Sequence, residues 1–237
     1  MTRVGSNAVM FATFVVATAV VFMTGATARA TVAAGQIDTF QNNDTSSWGG
    51  GDNATIQSGG MSGAGDLYLH LESFGGGSSG SKLSTFNAFQ WSGDYAAAGI
   101  TGIAMDLLDP NTSPVATPLN MRIVLFGAGG SRWSSAVGTV IPADNQWHHA
   151  VFSTAQADLV SVAPGDTYDQ MLQNVTQLMV RYDAGASPSN GGTTFAGTLG
   201  IDNVTALPVP EPGDAGVFAG GMVILLMAGR RTRSYGR

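Results

Sequence analysis

Few residue types in this chain could act in catalysis or hold a metal ion. Its 237 residues include three histidines and no cysteine, which excludes disulfides, Fe–S clusters and thiolate zinc sites. His148 and His149 are neighbours, and neighbouring side chains of a strand point to opposite faces, so they cannot easily ligate one ion. Glu72 is the only glutamate between residues 31 and 209. Because glycoside hydrolysis needs two placed carboxyl groups, we do not favour catalysis.

Aromatic residues in segments rich in glycine, serine and aspartate are the stronger indication of function. Sugar rings can stack on aromatic rings while their hydroxyl groups hydrogen-bond to a few placed polar groups. Trp133 and the adjacent Arg132 follow a Gly-Gly-Ser segment, and they are our first prediction for carbohydrate contact. The other predicted contacts are Trp48, Trp91 and Tyr95. The alternative for the first two is that they close the ends of the folded domain.

The N-terminal segment has the pattern of a secretory signal peptide. Arg3 supplies a positive charge, an apolar stretch covers residues 8–23, and an Ala-Arg-Ala sequence ends the segment at residues 28–30. We therefore expect residues 1–30 to be removed on export. An uncleaved signal anchor is the alternative, because the apolar stretch is long for a signal peptide.

The C-terminal segment, residues 208–237, combines three features in order. Pro210, Glu211 and Pro212 precede an apolar stretch over residues 215–229, and four arginines follow it. As a helix this stretch would be about 22 Å long, shorter than a ~30 Å bilayer core, which suits a temporary membrane anchor. The combination resembles the PEP-CTERM sorting signal, whose tail is processed by a membrane enzyme, exosortase.

This resemblance has implications for the location of the protein and none for the domain that is delivered. It implies a Gram-negative host that produces exopolysaccharide. It also implies exosortase as a processing partner and a transient inner-membrane stage through the tail. The expected destination is the cell surface or the extracellular matrix.

The segment between the two ends is long enough for one folded domain, expected over residues 31–207. Residues 31–209 contain fourteen acidic and four basic residues, a net charge of −10. An acidic surface disfavours nucleic acid and other anionic polymers, and it suits neutral sugars and calcium. The basic residues are Lys82, Arg122, Arg132 and Arg181.

Apolar and polar residues alternate with a period of two, which predicts strands. The clearest cases cover residues 67–72 and 119–125. Further predicted strands cover residues 37–40, 54–57, 82–86, 100–107, 138–141, 146–153, 177–182 and 198–206. Residues 167–174 suit a short helix. Short strands separated by turns, without helical crossovers, predict an all-β fold, and a jelly-roll β-sandwich is the commonest solution at this length.

The last predicted strand contains the sequence Ile201-Asp202-Asn203-Val204. Its two apolar residues are three positions apart, so a flat strand cannot bury both, and we predict a bulge near Asp202. This strand resembles the closing strand of galactose-binding-like carbohydrate-binding modules. In those modules an acidic residue of the first strand and the matching aspartate of the last often hold a structural calcium. The resemblance implies Asp38 and Asp202 as calcium ligands, with nearby carbonyl groups completing the site.

A competing resemblance lies at residues 147–151, where Trp-His-His-Ala-Val is similar to a strand of laminin-G-like sandwiches. Both families are jelly rolls, so the choice between them stays open while the predicted architecture does not change.

These observations together predict an exported, non-catalytic protein whose domain binds or scaffolds extracellular polysaccharide. A purely structural role in the envelope or biofilm matrix is the first alternative. A polysaccharide hydrolase or lyase is the second.

Overall fold

The computed structural model describes residues 31–76, 82–111 and 117–209. In these residues two antiparallel β-sheets, each of six strands, form a sandwich, which confirms the all-β jelly-roll prediction. Within the described part of the chain, no helix is long and apolar enough to cross a membrane. The predicted signal peptide, the residues Pro210, Glu211 and Pro212 and the apolar stretch at 215–229 lie outside it.

The first sheet is built from strands of both halves of the domain. They are β1 (Ile37–Asp38), β2 (Asn53–Gly60), β3 (Gly63–Phe74), β5 (Ile100–Leu108), β9 (Trp147–Ser153) and β12 (Ala196–Pro208). The order across the sheet is β2-β3-β12-β5-β9, and the short β1 pairs with the later part of β12. The first and the last strand of the described residues are therefore paired with each other.

The second sheet packs against the first. Its strands are β4 (Ser84–Asn87), β6 (Leu119–Gly127), β7 (Arg132–Ser135), β8 (Thr139–Ile141), β10 (Leu159–Ala163) and β11 (Val175–Tyr182). The order is β10-β7-β6-β11-β4, and β8 pairs with β6. Two of these strands, β7 and β10, were not predicted.

The core lies between the sheets because each strand turns its apolar positions inward. Met121, Ile123 and Leu125 of β6 are fully buried, as are Leu69 and Leu71 of β3. Burying one such side chain stabilises the fold by about 1.5–3 kcal/mol. The alternation therefore fixes which face of each strand meets the other sheet.

The predicted bulge is present in β12. The strand pairs Asp202 with Asp106 and then Thr205 with Ala104, so β12 carries one extra residue at this point. Asn203 takes a left-handed backbone conformation with φ of 51°, which asparagine tolerates better than most residues. As a result, both apolar residues that flank the bulge are buried.

The predicted helix is also confirmed, as α1 (Tyr168–Gln173). It begins at a capping box, in which the Thr167 hydroxyl accepts from the backbone N–H of Gln170. In return the Gln170 side-chain oxygen accepts from the backbone N–H of Thr167 at 3.0 Å. This reciprocal pairing explains why the helix starts at this residue.

Candidate functional site

The outer face of the second sheet carries all four basic residues of the folded domain. Arg122 of β6 and Arg181 of β11 are directly opposite each other in the strand register. Arg132 of β7 lies opposite Phe126 of β6, on the same face. Lys82 precedes β4 and lines a hollow together with two of these arginines. Because every second residue of a strand faces the same side, strand register brings the three arginines to one face.

Arg122 is buried, and its guanidinium group is held entirely by backbone carbonyl groups. Two like charges directly opposite each other destabilise a sheet unless other groups offset them. Here Nη1 donates to Ser135 and Ala136, each at 2.7 Å, and Nη2 donates to Gly185 and Ala186 at 2.9 and 3.1 Å. The two Nη2 bonds tie residues 184–192, which we call the covering loop, to the outer face of the sheet.

Arg181 forms a buried ion pair with Asp183. Its Nη2 lies 3.2 Å from Asp183 Oδ2, and both side chains are at most 3% exposed. Burial alone would raise the pKa of the Asp183 carboxyl group. Hydrogen bonds from the Ser189 N–H and hydroxyl, together with the charge of Arg181, outweigh it, so this pKa lies below its ordinary value. Burial lowers the pKa of Arg181, and Asp183 partly offsets that effect.

The covering loop leaves two hollows on the outer face, one on each side of Asn190. The first, which we call the basic pocket, has a volume of about 200 Å³. Its lining includes Lys82, Phe126, Arg132, Met179, Arg181, Asn190 and Gly191. The second, the flanking hollow, has a volume of about 310 Å³. Its lining includes Ala136, Val160, Val162, Ser187, Pro188 and Asn190. Because Asn190 lines both, the two hollows adjoin along one face of the sheet.

The basic pocket combines an apolar floor with hydrogen-bond donors. The Arg132 guanidinium carbon lies 4.9 Å from the centre of the Phe126 ring, within the range of a cation–π contact. Arg132 Nη1 also donates to the Asn190 side-chain oxygen at 3.0 Å. At about 200 Å³, the pocket is smaller than the ~300–1,000 Å³ that encloses a small molecule. It therefore suits one ring of a longer chain.

The sequence analysis placed one residue of this pocket among its carbohydrate contacts, Arg132. It did not select Lys82, Phe126 or Asn190. A signal for two of them is present in the sequence, since Lys82 is the only lysine and Phe126 has the outward phase in the β6 alternation. The contribution of Asn190 depends on the way the covering loop folds back, and no local pattern encodes that.

Trp133, the first choice among the aromatic residues, points away from this face. Neighbours on a strand alternate, so β7 presents Arg132 outward and Trp133 inward. The Trp133 ring is half-buried against the core and lies edge-on to Tyr168, with 5.8 Å between ring centroids. Its indole N–H is buried and has no hydrogen-bond partner among the described residues. Of the two residues predicted first for carbohydrate contact, only Arg132 therefore lies on the outer face of the sheet.

Trp48, Trp91 and Tyr95 are core residues. They are 3%, 0% and 0% exposed, so no face of these rings is available to a sugar, which corrects the prediction that they contact carbohydrate. Two polar indole N–H groups can be buried in the core because Asp38 accepts hydrogen bonds from both. Its Oδ2 accepts from the indole N–H groups of Trp48 and Trp91 at 2.7 and 2.6 Å.

The structure brings Asp202 together with Asp66 instead of Asp38. A Cβ atom on Gly60 would lie 2.7 Å from Asp66 Oδ2 and 2.8 Å from Asp202 Oδ2, so both carboxyl groups converge there. Burial raises the pKa of Asp202 to about 6, and Asp66 contributes to the rise. Asp202 also accepts from the Met61 N–H at 3.1 Å.

A calcium ion bound by both Asp38 and Asp202 does not fit these contacts. Asp38 Oδ2 already accepts from two indole N–H groups. The described residues contain no group of three or more histidine, cysteine, aspartate or glutamate side chains that could hold a metal. Calcium takes six to eight oxygens, so an ion beside Asp202 would need mostly carbonyl ligands. Calcium at Asp202 stays a prediction.

The two adjacent histidines each face their own carboxyl group. His149 Nδ1 lies 2.9 Å from Asp106, and His148 Nε2 lies 3.0 Å from Asp144. Asp106 also accepts from the Asn203 side-chain amide at 2.8 Å. These contacts belong to the first sheet and the loop before β9, and they contribute nothing to the basic pocket.

No protein-family model and no curated protein matches this sequence. Among solved structures, an exo-β-agarase aligns with 75% of this chain and 26% of its own, at 14% identity and a TM-score of 0.49. A family 11 carbohydrate-binding module from Clostridium thermocellum, in complex with a β-1,3-1,4-mixed-linked tetrasaccharide, aligns over 75% of this chain and 99% of its own. Its identity is 15% and its TM-score 0.44.

The module CsCBM6-3 from Clostridium stercorarium, in complex with cellobiose, aligns over 76% of this chain and 98% of its own. Its identity is 11% and its TM-score 0.37. The chain thus spans about a quarter of the agarase and nearly all of each module. Similarities of this size do not locate a site or define a ligand.

Proposed function

We propose that this protein is exported and binds extracellular polysaccharide without cleaving it, through the outer face of the second sheet. The observation that carries the proposal is the pair of adjoining hollows at Asn190. A polysaccharide is a row of rings, each with apolar C–H faces and a rim of hydroxyl groups. Two shallow hollows in a row, with apolar floors and polar edges, suit two successive parts of such a chain.

The polar groups of the face match the hydroxyl groups of a sugar. The Asn190 amide and the Arg132 guanidinium group are fixed relative to each other by their own hydrogen bond. The carbonyl bonds of Arg122 and Arg181 hold the covering loop in place. A pre-organised site loses less conformational entropy on binding. This favours the binding of a polysaccharide, in which each repeated sugar unit makes only weak contacts.

The lining of these hollows also supports binding without hydrolysis. Glycosidases use two carboxyl groups that flank the scissile bond. The described residues that line the basic pocket and the flanking hollow include no aspartate or glutamate. Asp202, whose pKa is raised, is fully buried. A substrate therefore has no access to it.

The location proposed for the protein depends on its two ends. The predicted signal peptide supports export. The resemblance of residues 208–237 to an exosortase-processed tail supports release at the cell surface or into the matrix of a Gram-negative host. Together with a polysaccharide-binding domain, this supports a location within an exopolysaccharide layer.

The direct test is retention on polysaccharide isolated from the host, with glycan arrays to identify the sugar. We expect Phe126→Ala to weaken binding several-fold, because it removes the apolar floor of the basic pocket. Phe74→Ala is the matched control, since Phe74 is 67% exposed and belongs to the first sheet. Retention that is absent on every glycan, or equally affected by both variants, would contradict the proposal.

A further inference from the structure

The positive charges of this acidic domain are all on one face. Residues 31–209 carry fourteen acidic and four basic side chains. The four basic ones are Lys82, Arg122, Arg132 and Arg181, and three of these line the basic pocket. A net charge averaged over the whole surface therefore does not describe the potential at this site.

Two of these four charges are compensated within the protein. Arg122 donates to four carbonyl groups, and Arg181 pairs with the buried Asp183 carboxylate. Both are almost fully buried, so their first role is to hold the covering loop. Neither is free to change its partners when a ligand arrives.

The other two charges, on Lys82 and Arg132, have no acidic partner. Among the described residues, no carboxylate forms an ion pair with either side chain. Lys82 Nζ lies 2.8 Å from the point where a Cβ atom on Gly191 would be, so the ammonium group stands directly over the glycine backbone. Arg132 reaches the same segment, donating to the Asn190 carbonyl oxygen and side chain at 3.3 and 3.0 Å.

None of the described residues that line the basic pocket is acidic, so a negative ligand meets no carboxylate in its lining. Phe126 and Met179 supply the apolar surface on which a ring can lie. A planar guanidinium group forms two parallel hydrogen bonds with a carboxylate, and the nearby ammonium group adds a second charge. A pyranose ring that bears a carboxylate fits this combination. Its ring would lie on the apolar floor, and its carboxylate would contact the guanidinium and ammonium groups.

We infer that the basic pocket binds an acidic sugar, a uronic acid residue of the polysaccharide, with its carboxylate between Lys82 and Arg132. This inference rests on the proposed function and names the substrate class of the same site. It reverses the expectation, drawn from the net charge of −10, that anionic polymers are disfavoured. The remaining acidic surface still repels a polyanion at long range, so affinity depends on this local contact.

The test uses the purified chain and the host's extracellular polysaccharide in two forms. One is native, and in the other the uronic acid carboxyl groups are chemically reduced to primary alcohols. We expect the native form to bind at least tenfold more tightly than the reduced form. Lys82→Gln and Arg132→Gln should each remove most of this difference, and Arg132→Lys should retain part of it.

Thr55→Glu is the control for net charge, because it lowers the net charge by one unit, as each glutamine variant does, but at an exposed position of the first sheet. It should leave the preference for the native polysaccharide unchanged. Equal binding of both forms would overturn the inference and leave the proposed function standing. Binding of neither form would overturn the proposed function itself. A preference that survives both glutamine variants would show that the carboxylate is recognised elsewhere.

Discussion

Asp38 offers the sharpest prediction about the fold, because the structure assigns it a different role from the one expected from the sequence. Its Oδ2 accepts from the indole N–H groups of Trp48 and Trp91 at 2.7 and 2.6 Å. Both rings are buried, so Asp38→Ala leaves two buried donors without an acceptor. A buried donor that loses its partner costs about 1–3 kcal/mol. We expect Asp38→Ala to lower the free energy of unfolding by about 4 kcal/mol.

Urea unfolding, followed by tryptophan fluorescence, measures this loss. Asp38→Asn is the matched variant: it keeps an acceptor oxygen at nearly the same position, and we expect it to cost about 1–2 kcal/mol. Trp91→Phe removes one of the two donors. In that background Asp38→Ala should therefore cost roughly half as much, which a double-mutant cycle detects.

The same experiment separates hydrogen bonding from metal binding. If Asp38 acts only as a hydrogen-bond acceptor, for the two indole groups and the Gln90 side-chain amide, the cost of Asp38→Ala is the same in calcium and in EDTA. A cost that disappears in EDTA would refute the hydrogen-bond explanation and restore Asp38 as a calcium ligand. A cost below about 1 kcal/mol in both buffers would show that the indole groups find other acceptors.

The remaining predictions concern the buried ion pair, calcium and the tail. Asp183→Asn should cost about 3 kcal/mol at pH 7, because it leaves Arg181 without its carboxylate. The pKa of Asp183 is lower in the folded protein than its ordinary value. The stabilisation by its carboxylate is therefore complete above the ordinary pKa and is lost as the pH falls through the pKa of the folded state. Wild type and variant should consequently have similar free energies of unfolding in urea titrations at acid pH. A calcium ion at Asp202 would stabilise the native state, so we expect EDTA to lower Tm by several degrees; an unchanged melting curve would contradict the calcium prediction. Substituting Glu211 should leave folding intact and retain the precursor in the inner membrane, as cell fractionation would show; normal export would contradict the sorting prediction.

The architecture could be predicted from local patterns because a half-buried strand has a strict period of two. The sequence shows the alternation in β3 and β6, and the spacing of Ile201 and Val204 was enough to predict a bulge near Asp202. Strands β7 and β10 were not predicted, because their sequences do not show this period of two. Arg132–Ser135 and Leu159–Ala163 are short and mix polar with apolar residues, so they lack a clear period.

The aromatic residues show why the candidate site was harder to predict than the fold. Trp48 and Trp91 lie in segments with the composition of exposed loops, yet the loops fold inward because Asp38 satisfies both indole groups. That acceptor is 10 residues from one ring and 53 from the other, and no local window contains all three. The error at Trp133 is of another kind: its segment was read as a loop, so the alternation that turns it inward was not applied.

The basic pocket likewise depends on contacts between distant segments. Register between β6 and β11 places Arg122 opposite Arg181, and the covering loop then adds Asn190 and Gly191. Composition indicated an acidic domain, which is true of the chain as a whole. It could not indicate that the few positive charges share one face.

The most direct measurement is amide chemical-shift mapping by NMR while fragments of the host polysaccharide are titrated into the protein. The proposed binding face predicts that the largest shifts occur in β6, β7 and β11 and in the covering loop, around Asn190 and Arg132. Shifts concentrated on the first sheet, or around Trp48 and Trp91, would contradict it, as would a spectrum that does not change with any fragment.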